Sequence, residues 1–323
     1  MALPLPIPRL HLSEIDDQSW FPAPLRASVQ ACLTLLWRMR FPLIQSVSPS
    51  ALVAKTLHDV LGPRLKEFTF VDFCSGAGGP TPYIEREVNK AYKEAQEEEK
   101  LRNGQLGSNG HVNGYVGRDK GVDFVMTDIH PHLPAWSHAS QRSKNLHYVA
   151  SSVDATNAPE DLLKLAGTSS RNQGKVFRLF SLAFHHFSDP LAVRILQNTL
   201  STSDGFAILE LQGRDLGSLF LIFMMGPPLM LGSWLWFWGQ WTHLFWTYVI
   251  PVVPFVVIYD GIISCLRTRR DGEIMSLLRE AAKAEGRSLE GWRFETGTVV
   301  HTWPIGTMQY FIGIKEGESK KSK

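Results

Sequence analysis

The stretch Val71–Glu85, VDFCSGAGGPTPYIE, decides the fold. An apolar run ends in an acid, a glycine cluster follows, and a segment with helical spacing begins. In open α/β sheets that order presents a ligand to the carboxyl end of a strand. Two ligands are disfavoured by what the turn lacks. A P-loop needs a lysine after its last glycine, and none follows Gly78 and Gly79 at the required place. A dinucleotide turn needs a third glycine so that the helix can pack closely, and Pro80 to Pro82 stand there instead.

Outward from this turn, apolar runs alternate with helical patterns, which predicts a mostly parallel sheet with helices on its faces. FTFVDFCS, VDFVMTDIH (Val122 to His130), LHYVASSVDAT (Leu146 to Thr156), KVFRLFSLAFHHF and GFAILELQGRD read as five strands. WRFETGTVVHTWPIGTMQYFIGIKE reads as two more, antiparallel because the loop between them is too short for a crossover helix. Residues 1–65 form an N-terminal helical cover, one helix starting after Pro24 and a second in SPSALVAKTLHDVLG. The core then runs over 66–215, with a polar Gly/Asn-rich insertion about 95–121 that is too poor in apolar residues to order itself. A block over 216–264, a return to the core over 265–316 and a polar tail at 317–323 complete the chain.

Asp72 at the strand end, followed by Cys74, Gly76 and Gly78, resembles motif I of the class I S-adenosylmethionine-dependent methyltransferases, acidic-x-Gly-x-Gly-x-Gly. Cys74 replaces the first glycine. The resemblance implies a Rossmann-like α/β fold with seven strands and an antiparallel last strand, with S-adenosyl-L-methionine as cofactor. It places the backbone of Ser75, Gly76, Ala77 and Gly78 beside the methionine part, and Asp72 near its amino end or holding the loop. It sets Asp128 and the adjoining Ile129 at the ribose and Asp154 with Ala155 at the adenine. Each acid alone reads equally as a cap or a solvated carboxylate. Three acids ending three successive strands share one sheet edge, and jointly they favour the cofactor.

The resemblance puts the end of the fourth strand, SLAFHHFSDP, beside the transferable methyl, and its His-His-Phe is similar to that of small-molecule methyltransferases. A neutral imidazole of His185 or His186 is suited to take a proton from an attacking hydroxyl or carbon acid. Alternation on a strand would let only one of them face the pocket. Glu210, ending the fifth strand, is a weaker candidate for a substrate contact. No third ligand at metal-binding spacing is evident, so no metal is expected.

From Leu216 to Tyr259 there is no Asp, Glu, Lys or Arg, and five of the ten tryptophans lie between Trp234 and Trp246. The block is long enough for two passes of about 20 residues, but Gly226-Pro227-Pro228, Pro251 and Pro254 interrupt it. This predicts an apolar helical hairpin that spans or dips into a bilayer, with Arg214, Arg267, Arg269 and Arg270 keeping both ends cytosolic. A buried lid or a dimer contact is the alternative. The expected partners are membrane lipid, for example that of the endoplasmic reticulum, and a lipophilic small molecule accepting a methyl on oxygen or carbon in specialised metabolism. Two rivals keep the fold: a cyclisation or rearrangement without methyl transfer, and a non-catalytic membrane-anchored module. A formal charge of +2 with no basic run interleaved with aromatics argues against nucleic acid. Three scattered cysteines give no disulfide framework.

Overall fold

The computed structural model describes residues 3–102, 121–168 and 174–316. The chain opens with an extended segment, then α1 (Ala23–Arg38) and α2 (Pro49–Leu61). The start of α2 follows from its sequence: Ser48 accepts a hydrogen bond from the Ala51 amide, and Pro49 fills a position that needs no donor. Gly62, at φ +52°, ends it. Then come β1 (Phe68–Phe73), α3 (Thr81–Arg102), β2 (Phe124–Thr127), α4 (Leu133–Ser140), β3 (Leu146–Tyr148) and the short α5 (Leu162–Leu165). Residues 95–102 continue α3, and the rest of the predicted insertion lies mainly outside the described residues. β4 (Lys175–Ser181), α6 (Asp189–Thr202) and β5 (Gly205–Glu210) follow.

Beyond β5 the apolar block forms α7 (Leu216–Met224), α8 (Gly226–Trp236), α9 (Trp241–Leu244), a π-turn over Phe245–Val249 and α10 (Val252–Arg267). The chain returns through α11 (Asp271–Ala284) to the hairpin β6 (Trp292–Thr302) and β7 (Gly306–Lys315). The strands form one sheet in the order β3-β2-β1-β4-β5-β7-β6. β1 to β5 are parallel, while β7 runs antiparallel to both β5 and β6. This is the Rossmann-like arrangement that the resemblance implies, with the chain reversing direction around β1, where β2 lies on one side and β4 on the other. Such a switch point is where ligands bind in open sheets.

Every residue of β1 is buried, as expected of a parallel strand covered on both faces. On one face Phe70, Phe124 and Phe177 pack with residues of α2, α3 and α4. On the other, Val71, Phe73, Val125 and Phe180 pack with α6 and α11.

The apolar block, expected to be a hairpin that spans or dips into a bilayer, contains no straight span. Among the described residues no single helix is long and apolar enough to cross a membrane. Two broken pairs do satisfy length and composition, α7 with α8 bent by 41° and the α9–π-turn segment with α10 bent by 74°. The prolines cause the breaks by starting new helices, since Pro227 and Pro228 open α8 and Pro251 precedes α10. One side of the block packs on α1, where Val29, Cys32 and Leu35 meet Leu229, Val253, Val256 and Val257 in a third apolar cluster. Each fully buried aliphatic side chain there contributes about 1.5–3 kcal/mol. The predicted N-terminal cover is thus also the bed on which the apolar block lies.

Candidate active site

The turn after β1 is built by its own polar groups. Asp72 is buried, and one oxygen of its carboxylate accepts from Ser75 Oγ at 2.9 Å and from Thr81 Oγ1. Its other oxygen, Oδ1, is buried without a hydrogen-bond partner. Burial pushes this carboxyl up to about 7. Asp72 therefore holds the loop with one oxygen and keeps acceptor capacity with the other. Trp136 of α4, fully buried, donates from Nε1 to the Gly76 carbonyl at 2.9 Å and fixes the turn from behind.

Gly76 lies at φ +51°, and a Cβ there would meet nothing within 4 Å, so its backbone faces open space. Cys74, where the family pattern has glycine, is at φ +69°. That left-handed backbone costs a non-glycine residue about 1–2 kcal/mol. The departure noted in the sequence is thus one of conformation as well as bulk. Asp128 at the end of β2 reaches back to this turn, accepting from the Gly76 amide at 2.8 Å and from the His130 amide at 2.8 Å. Ile129 beside it is 52% exposed, an apolar side chain left on the surface next to the open turn. Asp154 is exposed and accepts from the backbone and hydroxyl of Thr156, both at 2.8 Å. The β2 and β3 ends are tied by the Val153 amide, which donates to the Asp128 carbonyl at 2.9 Å.

Sequence reasoning missed Arg178 of β4. Its guanidinium is buried, lies 4.5 Å from the Phe73 ring centroid and donates to the Ala155 carbonyl at 3.3 Å. It thereby anchors the loop carrying Asp154 and Ala155 from beneath the sheet. Nothing local in the sequence signals this, because its partners come from α6 and the β3 loop.

The histidine pair follows β4 as expected, but not in an extended strand. β4 ends at Ser181, and Phe184–His186 form a single 3-10 turn, so the strand alternation that would separate the two imidazoles does not apply. The rings tilt against each other with centroids 4.2 Å apart, and both line one cavity. His185 is buried with Nδ1 2.8 Å from Glu210 Oε2, while its backbone amide donates to Glu210 Oε1 at 3.1 Å. Burial pushes the Glu210 carboxyl up and the His185 imidazole down. Glu210 is therefore spent on His185 rather than on open space.

His186 is half-buried, and its Nδ1 lies 2.8 Å from Asp17 Oδ2. Glu14, also buried, approaches His185 Nε2 and His186 Nδ1 at 3.7 Å each. These two acids come from the N-terminal segment, which the sequence offered only as a cover. Asp260 of α10 holds that segment, accepting from the amides of Ile15 at 2.6 Å and Asp16 at 2.9 Å.

Glu14 supplies the third metal-type ligand that spacing alone did not reveal, its oxygen and the two imidazole nitrogens lying within 4.8 Å of one another. A cation already sits there: Arg267 Nη1 is 3.3 Å from Glu14 and 3.6 Å from Asp17.

Burial also raises the Glu14 carboxyl to about 7. Between the ordinary carboxylate range and pH 7 the folded chain then holds protons at Glu14 and Asp72 that the unfolded chain has released. Stability falls as pH rises through that window, by about 1.4 kcal/mol per pH unit for each such group. Glu14→Gln is expected to flatten this slope in denaturant titrations from pH 4.5 to 7.5; an unchanged slope would mean Glu14 is not protonated in the native state.

The cavity beside the histidines has a volume of about 370 Å³. Its wall is mainly apolar, with Leu36, Leu221, Met225 and Trp236 among its residues, and its polar end carries Glu14, Asp17, His185, His186 and His301. Leu182 and His185, in the segment just after β4, line it as well, so it reaches the carboxyl edge of the sheet.

No protein-family model and no curated protein matches this chain. Solved structures do resemble it. LepI in complex with SAM is 13% identical, with 90% of this chain and 52% of that chain covered and a TM-score of 0.40. Human N-acetylserotonin methyltransferase in complex with SAM is 12% identical, with 83% and 56% covered and a TM-score of 0.36. A putative Zn-dependent alcohol dehydrogenase from Rhodobacter sphaeroides is 11% identical, with 90% and 98% covered and a TM-score of 0.38. This chain spans about half the length of the first two. Likeness at this level carries no activity with it, as a dehydrogenase among the three illustrates. It is the order and direction of this chain's own seven strands that place it in the Rossmann-like class I methyltransferase fold.

Proposed function

We propose that the chain is an S-adenosylmethionine-dependent methyltransferase acting on a lipophilic small molecule at a membrane surface. The observation that carries this reading is the joint edge: a left-handed glycine facing open space, a buried carboxylate with an unpaired oxygen, and two further acids, all at the ends of β1 to β3. The residues fit the cofactor. Its ammonium would find the free acceptor near Asp72, its ribose hydroxyls the carboxylate of Asp128, and its adenine the side of Ile129 and the loop of Asp154 and Ala155. When bound, S-adenosylmethionine supplies an electrophilic methyl group.

The chain's own residues do the rest. The apolar cavity would hold the acceptor and exclude water, and its polar end would orient the attacking atom. Of the two histidines, His186 is the better base. Its Nδ1 is engaged by Asp17, which fixes the ring and leaves Nε2 for the acceptor's proton. His185 is closed in by Glu210 and by the Arg267 side chain, which donates to its carbonyl at 3.2 Å.

The test is incubation of the purified protein with methyl-labelled cofactor and a lipid extract. Label should appear in a lipophilic product. A product of unchanged mass with the cofactor unconsumed would replace methyl transfer by a rearrangement, and absence of cofactor binding in calorimetry would leave a binding module.

A further inference from the structure

The apolar block buries only one of its sides. Leu231 is 79% exposed, Leu235 75%, Trp241 65% and Phe223 60%, and none of the 44 residues from Leu216 to Tyr259 is Asp, Glu, Lys or Arg. The exposed indoles are continuous: Trp234 and Trp238 lie 4.5 Å apart by ring centroids, Trp238 and Trp241 5.9 Å apart. A patch of this kind on a soluble domain marks an interaction surface.

Two further features identify what covers it. The loop after α1 joins the face, since Phe41 packs on Trp236 with centroids 6.4 Å apart. In that loop Leu43 is fully exposed and Ile44 is 42% exposed. Directly before them stand Arg38 and Arg40, both exposed. Protruding aliphatic side chains and indoles, with arginines at the margin, match the layers of an anionic lipid surface: acyl chains, interface and headgroups. A protein partner would call for hydrogen-bonding groups within the patch, and this sequence supplies few.

The depth is limited as well. α7 has 9 residues, α8 has 11 and α10 has 16. At about 1.5 Å per residue each falls short of a hydrocarbon core of about 30 Å. α10, the longest, is covered by α1 and α7, so lipid does not surround it.

We infer that this face embeds in a single leaflet of an anionic membrane, as a monotopic surface, and that the cavity opens toward it. Phe41, Ile44, Met224 and Trp236 line the cavity and belong to the embedded segments, so a lipophilic acceptor would pass from the leaflet to the histidines without entering water. The embedding deepens the membrane part of the proposed function but stands independently of the reaction.

Flotation of the purified full chain with vesicles tests it. The wild type should float without detergent, more completely with about one-third phosphatidylserine than with phosphatidylcholine alone. Arg38→Glu with Arg40→Glu should weaken binding to the anionic vesicles by about tenfold or more and leave neutral vesicles unaffected. Leu43→Asp with Leu231→Asp and Leu235→Asp should abolish both; these positions are exposed, so the fold is spared. A wild type that stays unbound, or a triple variant that floats equally well, would overturn the proposal. So would a detergent-free dimer, lost in the triple variant, that never engages vesicles, because a second copy would then be the covering surface. An impermeant maleimide trapped inside the vesicles should leave Gln240→Cys unmodified, whereas its labelling would show a spanning hairpin. Gly76→Leu, which blocks the cofactor turn, should float like the wild type, so failure of the reaction and failure of embedding are separable.

Discussion

Gly76→Leu is expected to lower affinity for S-adenosylmethionine by at least about a hundredfold while leaving a folded chain. A Cβ at Gly76 meets no protein atom within 4 Å, so a larger side chain has somewhere to go, and that place is the space our proposed function gives to the cofactor. The left-handed φ of +51° adds a backbone penalty of about 1–2 kcal/mol. Thermal unfolding should therefore shift by a few degrees only, and calorimetric titration should show almost no cofactor heat. Unchanged affinity in the variant would place the cofactor away from this turn. Asp72→Ala is a poorer probe, because Asp72 also holds Ser75 and Thr81 and its loss would loosen the loop as a whole.

His186→Ala is expected to reduce kcat by about 10²–10⁴-fold, the usual contribution of a positioned base, with cofactor affinity retained. Asp17→Asn should lower kcat less. It removes the carboxylate 2.8 Å from Nδ1 that fixes the orientation of the ring. His185→Ala should act differently. It takes the imidazole away from the buried Glu210 carboxyl, and depriving a buried polar group of a partner destabilises by about 1–3 kcal/mol, so the loss should be read in folded yield rather than in rate. Wild-type kcat in the His186 variant would remove it as the base. An unchanged kcat in Asp17→Asn would show that Asp17 serves packing alone.

The parts of this molecule legible in the sequence are those whose causes are local. Val71 to Glu85 announces strand, turn and helix because buried parallel strands are unbroken apolar runs and left-handed turns draw glycine. The hairpin of β6 and β7 follows from the shortness of its loop. The histidine turn was hidden because Ala183 to Phe187 has no feature that separates an extended strand end from a single helical turn. Glu14 and Asp17 were hidden for another reason. Their partners are 171 and 169 positions away, and no spacing rule reaches that far. The apolar block was legible in composition and in the breaks its prolines make, but not in the bend angles, which depend on packing against α1.

The pinning of Ile15 and Asp16 by Asp260 joins residues 244 and 245 positions apart. During synthesis, Glu14 and Asp17 leave the ribosome early and meet the histidines next, but the segment that carries them is not pinned until α10 is made. The turn after β1 can form before that moment, whereas the acids beside the histidines stay on an unanchored segment. Completion of the site is consequently a late event in the life of the nascent chain, and a chain stopped before Asp260 would carry a cofactor turn with no anchored acid to serve its histidines.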